Sequence, residues 1–306
     1  MRRAAIIFTA LAVGAAHADD ADLDAAIAAA RGACAGIKSE LNAMKTKAVV
    51  GAVASGAGAA AGAGAAAVGF VKAGKDAEAE RVAVRLDRLR AIEAKNPVAN
   101  PGEFMAAFVA FRDTAIKEIG VASAADDARA KELETQSKNL GHWRTGLSAG
   151  GTLLGAAGAV VAGTNKTGDL SGRIRACADA AAGLERAAMS ARIAGADTAA
   201  ADRIVIECGK WKNFDAAKID GRSTGAAVSG GVAAASMLAG TITSAIANAK
   251  TTRDGDAAAE KNLNAASNFL AVGGAAGGAV AAGFGAAQAA ALDGAINTAD
   301  NCEGAL

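Results

Sequence analysis

The chain contains one segment twice, and each copy begins and ends on a cysteine. The first copy runs from Cys34 to Cys177 and the second from Cys208 to Cys302. The matching motifs are Gly51-Ala-Val-Ala-Ser-Gly56 and Gly225-Ala-Ala-Val-Ser-Gly230 near the start of each copy, and Lys138-Asn-Leu140 and Lys261-Asn-Leu263 in its second half. This duplication predicts two tandem repeats of the same topology, which we place at residues 19–195 and 196–306.

Small residues dominate the composition and indicate an all-α fold. Of the 306 residues 38 are Gly, none is Tyr, two are Pro, and aromatic residues make up 3%. Few aromatic or bulky residues are available for strands, whereas Ala favours helices. We therefore expect two long antiparallel helical hairpins with Gly/Ala-rich apolar arms. The net charge of +1, with no basic tail, gives no reason to expect nucleic acid as a partner.

The N-terminus has the pattern of a bacterial secretory signal over residues 1–18. Arg2 and Arg3 precede an apolar run, and Ala16-His17-Ala18 stands at the position of a cleavage site. An uncleaved anchor helix is the alternative. Export would place all four cysteines in an oxidising compartment, on the periplasmic side of the cell envelope.

Four long stretches contain no charged residue. They cover residues 48–71, 145–165, 223–249 and 262–292. A helix of about 20 apolar residues crosses a hydrocarbon core of roughly 30 Å, so each stretch is long enough to span a membrane. Because Ala and Gly contribute little to insertion, burial between copies of the protein in a soluble assembly is the alternative. The balance of Lys and Arg does not select the inner or the outer membrane.

An insertion at about residues 75–137 separates the two arms of the first hairpin. It contains both prolines, in Asn96-Pro-Val-Ala-Asn-Pro101, which break a helix. Two apolar stripes flank this break and predict a small helical subdomain that presents a surface to a protein partner. The stripes are Val82, Leu86 and Leu89 before the break, and Phe104, Phe108, Phe111 and Ala115 after it.

Heptad-like stripes carry the cysteines of the first hairpin and predict which helices pack together. Their residues alternate in spacing between three and four, as in helices that pack side by side. The first stripe is Leu23, Ile27, Ala30, Cys34, Ile37, Leu41 and Met44, and the second is Leu170, Ile174, Cys177, Ala181 and Leu184.

The duplication selects one of the three pairings that four cysteines allow. Cys208 and Cys302 lie equally far in sequence from the turn residue Gly255. In the first copy, Cys34 and Cys177 lie at nearly equal sequence distances from the two ends of the insertion. We predict disulfides Cys34–Cys177 and Cys208–Cys302. Metal ligation and redox catalysis are less well supported, because the chain has no C-x-x-C motif and no histidine near a cysteine. No metal is expected.

Glycine rows predict close helix–helix packing of the small-xxx-small type. Residues four apart lie near one helix face, and glycine there lets two backbones approach. Each Gly costs about 1 kcal/mol of helix propensity relative to Ala, which close packing would offset. The glycines predicted to pack are Gly58, Gly62, Gly151, Gly155, Gly163, Gly273, Gly277 and Gly285.

No catalytic residue, cofactor-binding residue or cofactor is expected. His142 is the only histidine of the mature chain, and no Ser or Cys stands near it in sequence. Gly158-Ala-Val-Val-Ala-Gly163 resembles the start of a phosphate-binding loop but lacks the Lys-Ser/Thr that must follow. The sequence therefore predicts a non-enzymatic envelope protein, membrane-embedded and structural or pore-like. A secreted or periplasmic self-assembling protein, such as a filament subunit or a glycine-zipper toxin, is the alternative.

Overall fold

The structure is a computed structural model that describes residues 21–94, 106–249 and 257–306. Within these ranges the chain forms helices and no strand, which confirms the all-α prediction. The predicted signal sequence, both prolines and the turn at 250–256 lie outside the described residues. The helices are α1 (21–34), α2 (Ile37–Ala94), α3 (Ala106–Thr164), α4 (Gly168–Ile193), α5 (Ala199–Cys208), a 3-10 helix (Gly209–Asn213), α6 (Ala216–Asn248) and α7 (Ala257–Ala305).

The long helices form two hairpin-like pairs in tandem, α2 with α3 and α6 with α7, as the duplication predicts. The chain divides into two compact units, and each unit takes segments from both pairs. Unit 1 consists of the described residues up to Gly56, Gly155–Gly231 and Gly278–Leu306, and unit 2 of those in Ala57–Leu154 and Val232–Gly277.

Unit 1 contains the main hydrophobic core. Leu41, Ile174, Leu184 and Leu292 are each at most 1% exposed and belong to one cluster with all four cysteines. Both stripes predicted around the cysteines enter this cluster, with Ile27 partly buried at its edge. Trp211 belongs to this cluster, and Phe214 packs against it. The two rings make an edge-to-face contact with their centroids 5.8 Å apart.

Glycines with positive φ shape the connections of unit 1. Gly36, at φ 76°, stands between α1 and α2, so the stripe from Leu23 to Met44 is interrupted by a turn. Gly195, at φ 88°, follows the end of α4. The amides of Gly195 and Ala196 donate to the carbonyls of Arg192 and Ala191, a Schellman motif that satisfies the last carbonyls of the helix.

The insertion is helical, and its described part continues α2 and α3 instead of forming a separate bundle. Leu86 of the first predicted stripe is buried, and so is Leu133 on α3. The second predicted stripe, from Phe104 to Ala115, lies outside the described side chains. The first hairpin therefore has longer arms than the second.

Candidate functional site

The four long helices bury small residues in a heptad pattern. Buried positions on each helix are separated alternately by three and four residues, the spacing of helices that pack side by side. All but four of these residues are Gly, Ala or Ser. We call the four rows the packing stripes. They are Ala48, Gly51, Ser55, Gly58, Gly62, Ala65 and Gly69 on α2; Arg144, Ser148, Gly151, Gly155, Gly158 and Ala162 on α3, with Asn165 directly after its end; Ser223, Ala226, Gly230, Ala233, Met237, Gly240 and Ser244 on α6; and Ser267, Ala271, Gly274, Gly278, Ala281, Gly285 and Gln288 on α7.

Large apolar side chains of the same stretches point outward. Leu153 is 73% exposed, Phe269 78% and Val228 61%, while the stripe residues beside them are buried. A protein folded in water places its large apolar residues inside, whereas helices in lipid pack through small residues. Four helices of the described chain are long and apolar enough to cross a membrane.

Backbones approach closely in unit 1 where glycine occupies a packing stripe. A Cβ added to Gly158 on α3 would lie 2.3 Å from Ser55 Oγ and 3.0 Å from the carbonyl oxygen of Gly51, both on α2. A Cβ added to Gly285 on α7 would lie 2.9 Å from Ala52 Cβ on the same α2. Because such distances are below van der Waals contact, both contacts require glycine.

One methionine fills the space between four helices in unit 2. Met237 on α6 is 1% exposed. A Cβ added to Gly62 would lie 2.6 Å from Met237 Cε, one added to Gly151 2.6 Å from Sδ, and one added to Gly274 2.4 Å from Cγ. Glycines of α2, α3 and α7 therefore make room for a single long side chain. No stripe or glycine row predicted from the sequence contains Met237, although it is the only large apolar residue in the α6 packing stripe.

The predicted glycine rows coincide only in part with the packing stripes. Gly58, Gly62, Gly151, Gly155 and Gly285 are buried stripe residues. Gly163 and Gly277 are half-buried beside a stripe, and Gly163 is in ordinary contact distance of Ala227.

Gly273 lies on the exposed face of α7, with no atom within 4 Å of an added Cβ. Its neighbour Gly274 takes the buried position. A helix turns by about 100° per residue, so a row of every fourth residue rotates by roughly 40° per step and leaves the interface.

Unit 2 buries an arginine among amides. Arg144 is 0% exposed, and its NH1 and NH2 donate to Asn264 Oδ1 at 3.2 Å and to the Asn264 carbonyl oxygen at 3.0 Å. Asn268 lies beside it, and a Cβ on Gly69 would lie 1.8 Å from Asn268 Oδ1 and 3.1 Å from Arg144 Nε. Gly69 is therefore required by this polar cluster. Buried ionisable residues in a membrane bundle are costly and are usually retained for function or for pairing of helices.

A buried lysine marks the end of the first charge-free stretch. Lys72 is 2% exposed, and its Nζ donates to Asp76 Oδ2 at 2.7 Å and to Glu260 Oε1 at 3.2 Å. Asp76 lies one turn along α2, and the contact with Glu260 joins α2 to α7 within unit 2. The desolvated ammonium has the two acidic partners that a buried charge requires.

Ion pairs connect the charged extensions of α2 and α3, which are the described parts of the insertion at about residues 75–137. Arg129 donates to Glu78 Oε1 at 2.7 Å, and Arg90 donates to Asp127. The hydrogen bond from Arg129 lowers the pKa of the Glu78 carboxyl below its ordinary value. Pairing of α2 with α3 therefore continues past the apolar stretch through charged contacts.

Amide side chains tie the helix ends of unit 1 together. Asn165 is 1% exposed, and its Nδ2 donates to the Met44 carbonyl oxygen at 2.9 Å. Gln288 Nε2 donates to the Asn165 carbonyl oxygen at 3.0 Å, which joins α7 to the end of α3. Asp220 accepts from the Thr167 amide at 2.7 Å and so fixes the turn before α4.

The disulfides lie side by side in the core of unit 1. Cys34 is bonded to Cys177 and Cys208 to Cys302, the pairing that the duplication predicts. All four sulfur atoms lie within 4.8 Å of one another, and all four residues are buried. The sequence indicates the two pairs but not their convergence on one point.

His142 and Trp143 lie on the exposed surface of α3, and Trp143 is 69% exposed at the edge of its charge-free stretch. Gly158 and Gly163 belong to α3 itself, so the run that resembles a phosphate-binding loop is a continuous helix. Its glycines have a packing role instead.

Comparison of the chain with protein-family models, with curated proteins and with solved structures finds no match.

Proposed function

We propose that this protein is an exported, non-enzymatic component of the cell envelope, embedded in a membrane through α2, α3, α6 and α7. It acts by helix–helix assembly, as a structural or pore-like component. The observation that carries this proposal is the outward placement of large apolar side chains over four charge-free stretches whose interior is made of Gly, Ala and Ser.

The proposed orientation follows from the cysteines. Disulfides form in oxidising compartments, so the core of unit 1 with its four cysteines lies on the periplasmic side. Both hairpin tips then lie across the membrane. The charged extensions of α2 and α3 project beyond the span and offer a surface for a protein partner.

Membrane fractionation tests the proposal. We expect the protein to stay with separated membranes after extraction with alkaline carbonate and to require detergent for release. Release of all the protein by carbonate as large, detergent-free oligomers would instead identify the soluble self-assembling alternative. A monodisperse, detergent-free monomer would contradict both functions, because the exposed apolar faces would then be in water.

Alkaline phosphatase fusions test the orientation. A fusion at residue 306 is expected to be active in the periplasm, and a fusion within the tip at 250–256 to be inactive. Equal activity of the two fusions would show that the hairpin tips do not lie in the cytoplasm.

A further inference from the structure

The four cysteines come from four separate helices and meet at one point. Cys34 ends α1, Cys177 lies in α4, Cys208 ends α5 and Cys302 lies near the end of α7. They are 2%, 0%, 0% and 1% exposed, and their sulfur atoms lie within 4.8 Å of one another.

Two disulfides that each stabilise one hairpin do not need to lie close together. A disulfide stabilises the fold by restricting the unfolded chain wherever it joins two helices, so two disulfides stabilise equally well when they are far apart. Four sulfur atoms at one point are instead the arrangement of a tetrahedral thiolate site, which takes one ligand atom from each of four positions.

We propose that the same four cysteines, when reduced, bind one Zn²⁺ as a closed structural site. A zinc–sulfur distance of about 2.3 Å places tetrahedral sulfur ligands about 3.8 Å apart, which lies within the span of the four sulfur atoms. Buried apolar residues of the same core, among them Ile37, Ile174 and Ile204, exclude water from the site. All four coordination positions are taken by the protein, so the ion is structural and not catalytic.

The two states of the cluster interconvert by disulfide reduction. A dithiol reductant gives two electrons and two protons to each disulfide, so each S–S bond breaks and two thiols form. One Zn²⁺ then displaces four thiol protons, and four Zn–S bonds form without any change in the oxidation state of the metal. The disulfide state belongs to an oxidising compartment and the zinc state to a reducing one, where the chain is synthesised. This inference goes beyond the membrane function and does not depend on it.

Metal titration of the full chain tests the inference. The protein is purified in detergent, reduced anaerobically with a phosphine, and titrated with Co²⁺ while its helix content is followed by circular dichroism. We expect one Co²⁺ per chain with the visible spectrum of a tetrahedral tetrathiolate, and one equivalent of Zn²⁺ should abolish that spectrum. Zn²⁺ should also raise the thermal midpoint of the reduced protein and leave that of the oxidised protein unchanged.

Paired substitutions provide the controls. Cys34→Ser with Cys177→Ser, and separately Cys208→Ser with Cys302→Ser, each leave two sulfur ligands and should abolish the tetrathiolate spectrum. Each variant retains one disulfide when oxidised, so its helix content before reduction shows whether it folds. The inference would be overturned if the reduced wild-type protein bound no stoichiometric metal, whether or not it remained helical. It would also be overturned if both paired variants gave the wild-type spectrum.

Discussion

Met237 shows how a single residue determines the packing of unit 2. Its side chain occupies space that three glycines on three other helices leave open, so the fit depends on all four positions together. Other positions of the α6 stripe hold Gly, Ala or Ser. Replacement of Met237 therefore changes contacts with α2, α3 and α7 at once.

A double-mutant cycle measures this fit. Met237→Ala leaves a cavity and should cost about 2–5 kcal/mol of unfolding free energy. Gly274→Ala alone should also destabilise, because its Cβ would lie 2.4 Å from Met237 Cγ. In the Met237→Ala background the added methyl group meets open space, so the second cost should shrink or reverse. Unfolding in detergent measures all four states, and strictly additive effects would contradict this packing.

Gly158 and Gly273 provide a matched comparison between a stripe position and an exposed one. Gly158→Ala places a methyl group 3.0 Å from the Gly51 carbonyl oxygen, a backbone atom that cannot move alone. Overpacking of this kind typically costs about 1–3 kcal/mol. Gly273→Ala meets no atom within 4 Å and should gain up to about 1 kcal/mol of helix propensity. Thermal midpoints should fall for the first variant and stay level or rise for the second; the reverse order would reject the proposed interface.

At the scale of whole helices, sequence periodicity predicted the packing well where apolar residues were large. The stripe from Leu23 to Met44 is buried as predicted except at Ile27, which is partly buried, because only one face of that segment is apolar. In the Gly/Ala-rich stretches every face is uncharged, so the sequence gives no contrast between inside and outside. Gly273 therefore lies on the exposed face of α7, while its neighbour Gly274 occupies the buried position.

Sequence patterns did not predict contacts between individual residues that are distant in sequence. Arg144 and Asn264 meet only because α3 and α7 pack in register, and neither residue stands out in its own segment. The cysteine pairing was predictable because the duplication supplied a long-range constraint. No similar constraint links the two pairs to each other, so the sequence did not indicate that all four sulfur atoms meet.

The extension of α2 and α3 should depend on pH through Glu78. Arg129 lowers the pKa of this carboxyl below its ordinary value of 4.5, so the contact stabilises the fold above that pH and is lost as the pH falls through the lowered value. Glu78→Gln should lower the thermal midpoint slightly near about pH 6, and this effect should decline as the pH falls through the lowered pKa of Glu78. The effect should be small because the pair is exposed to solvent.

Glu80→Gln, two residues along the same helix, is the control for Glu78→Gln. If both variants showed the same pH dependence, the Arg129 contact would not be its source.

For the whole molecule, the exposed apolar faces and the small-residue interior determine which solvent suits the fold. In water, large apolar side chains would be exposed on all four long helices, while the packing stripes bury little apolar surface per residue. In lipid the outer face is solvated by hydrocarbon, and close approach of the backbones supplies dispersion contacts. Polar stripe residues then hydrogen-bond inside the bundle, as Ser223 does to the Ala162 carbonyl oxygen and Ser267 to that of Gly240.

A charged substitution on the outer face of a long helix tests whether lipid or water surrounds that face. Leu153 is 73% exposed near the middle of its charge-free stretch, and Ile206 is 63% exposed outside any such stretch. In water, both Leu153→Lys and Ile206→Lys are surface changes that should alter stability by less than about 0.5 kcal/mol. In a membrane, lysine at the centre of a span costs about 3 kcal/mol, so Leu153→Lys alone should reduce the carbonate-resistant fraction. If the two variants fractionated alike, the outer face of α3 would not be in contact with lipid.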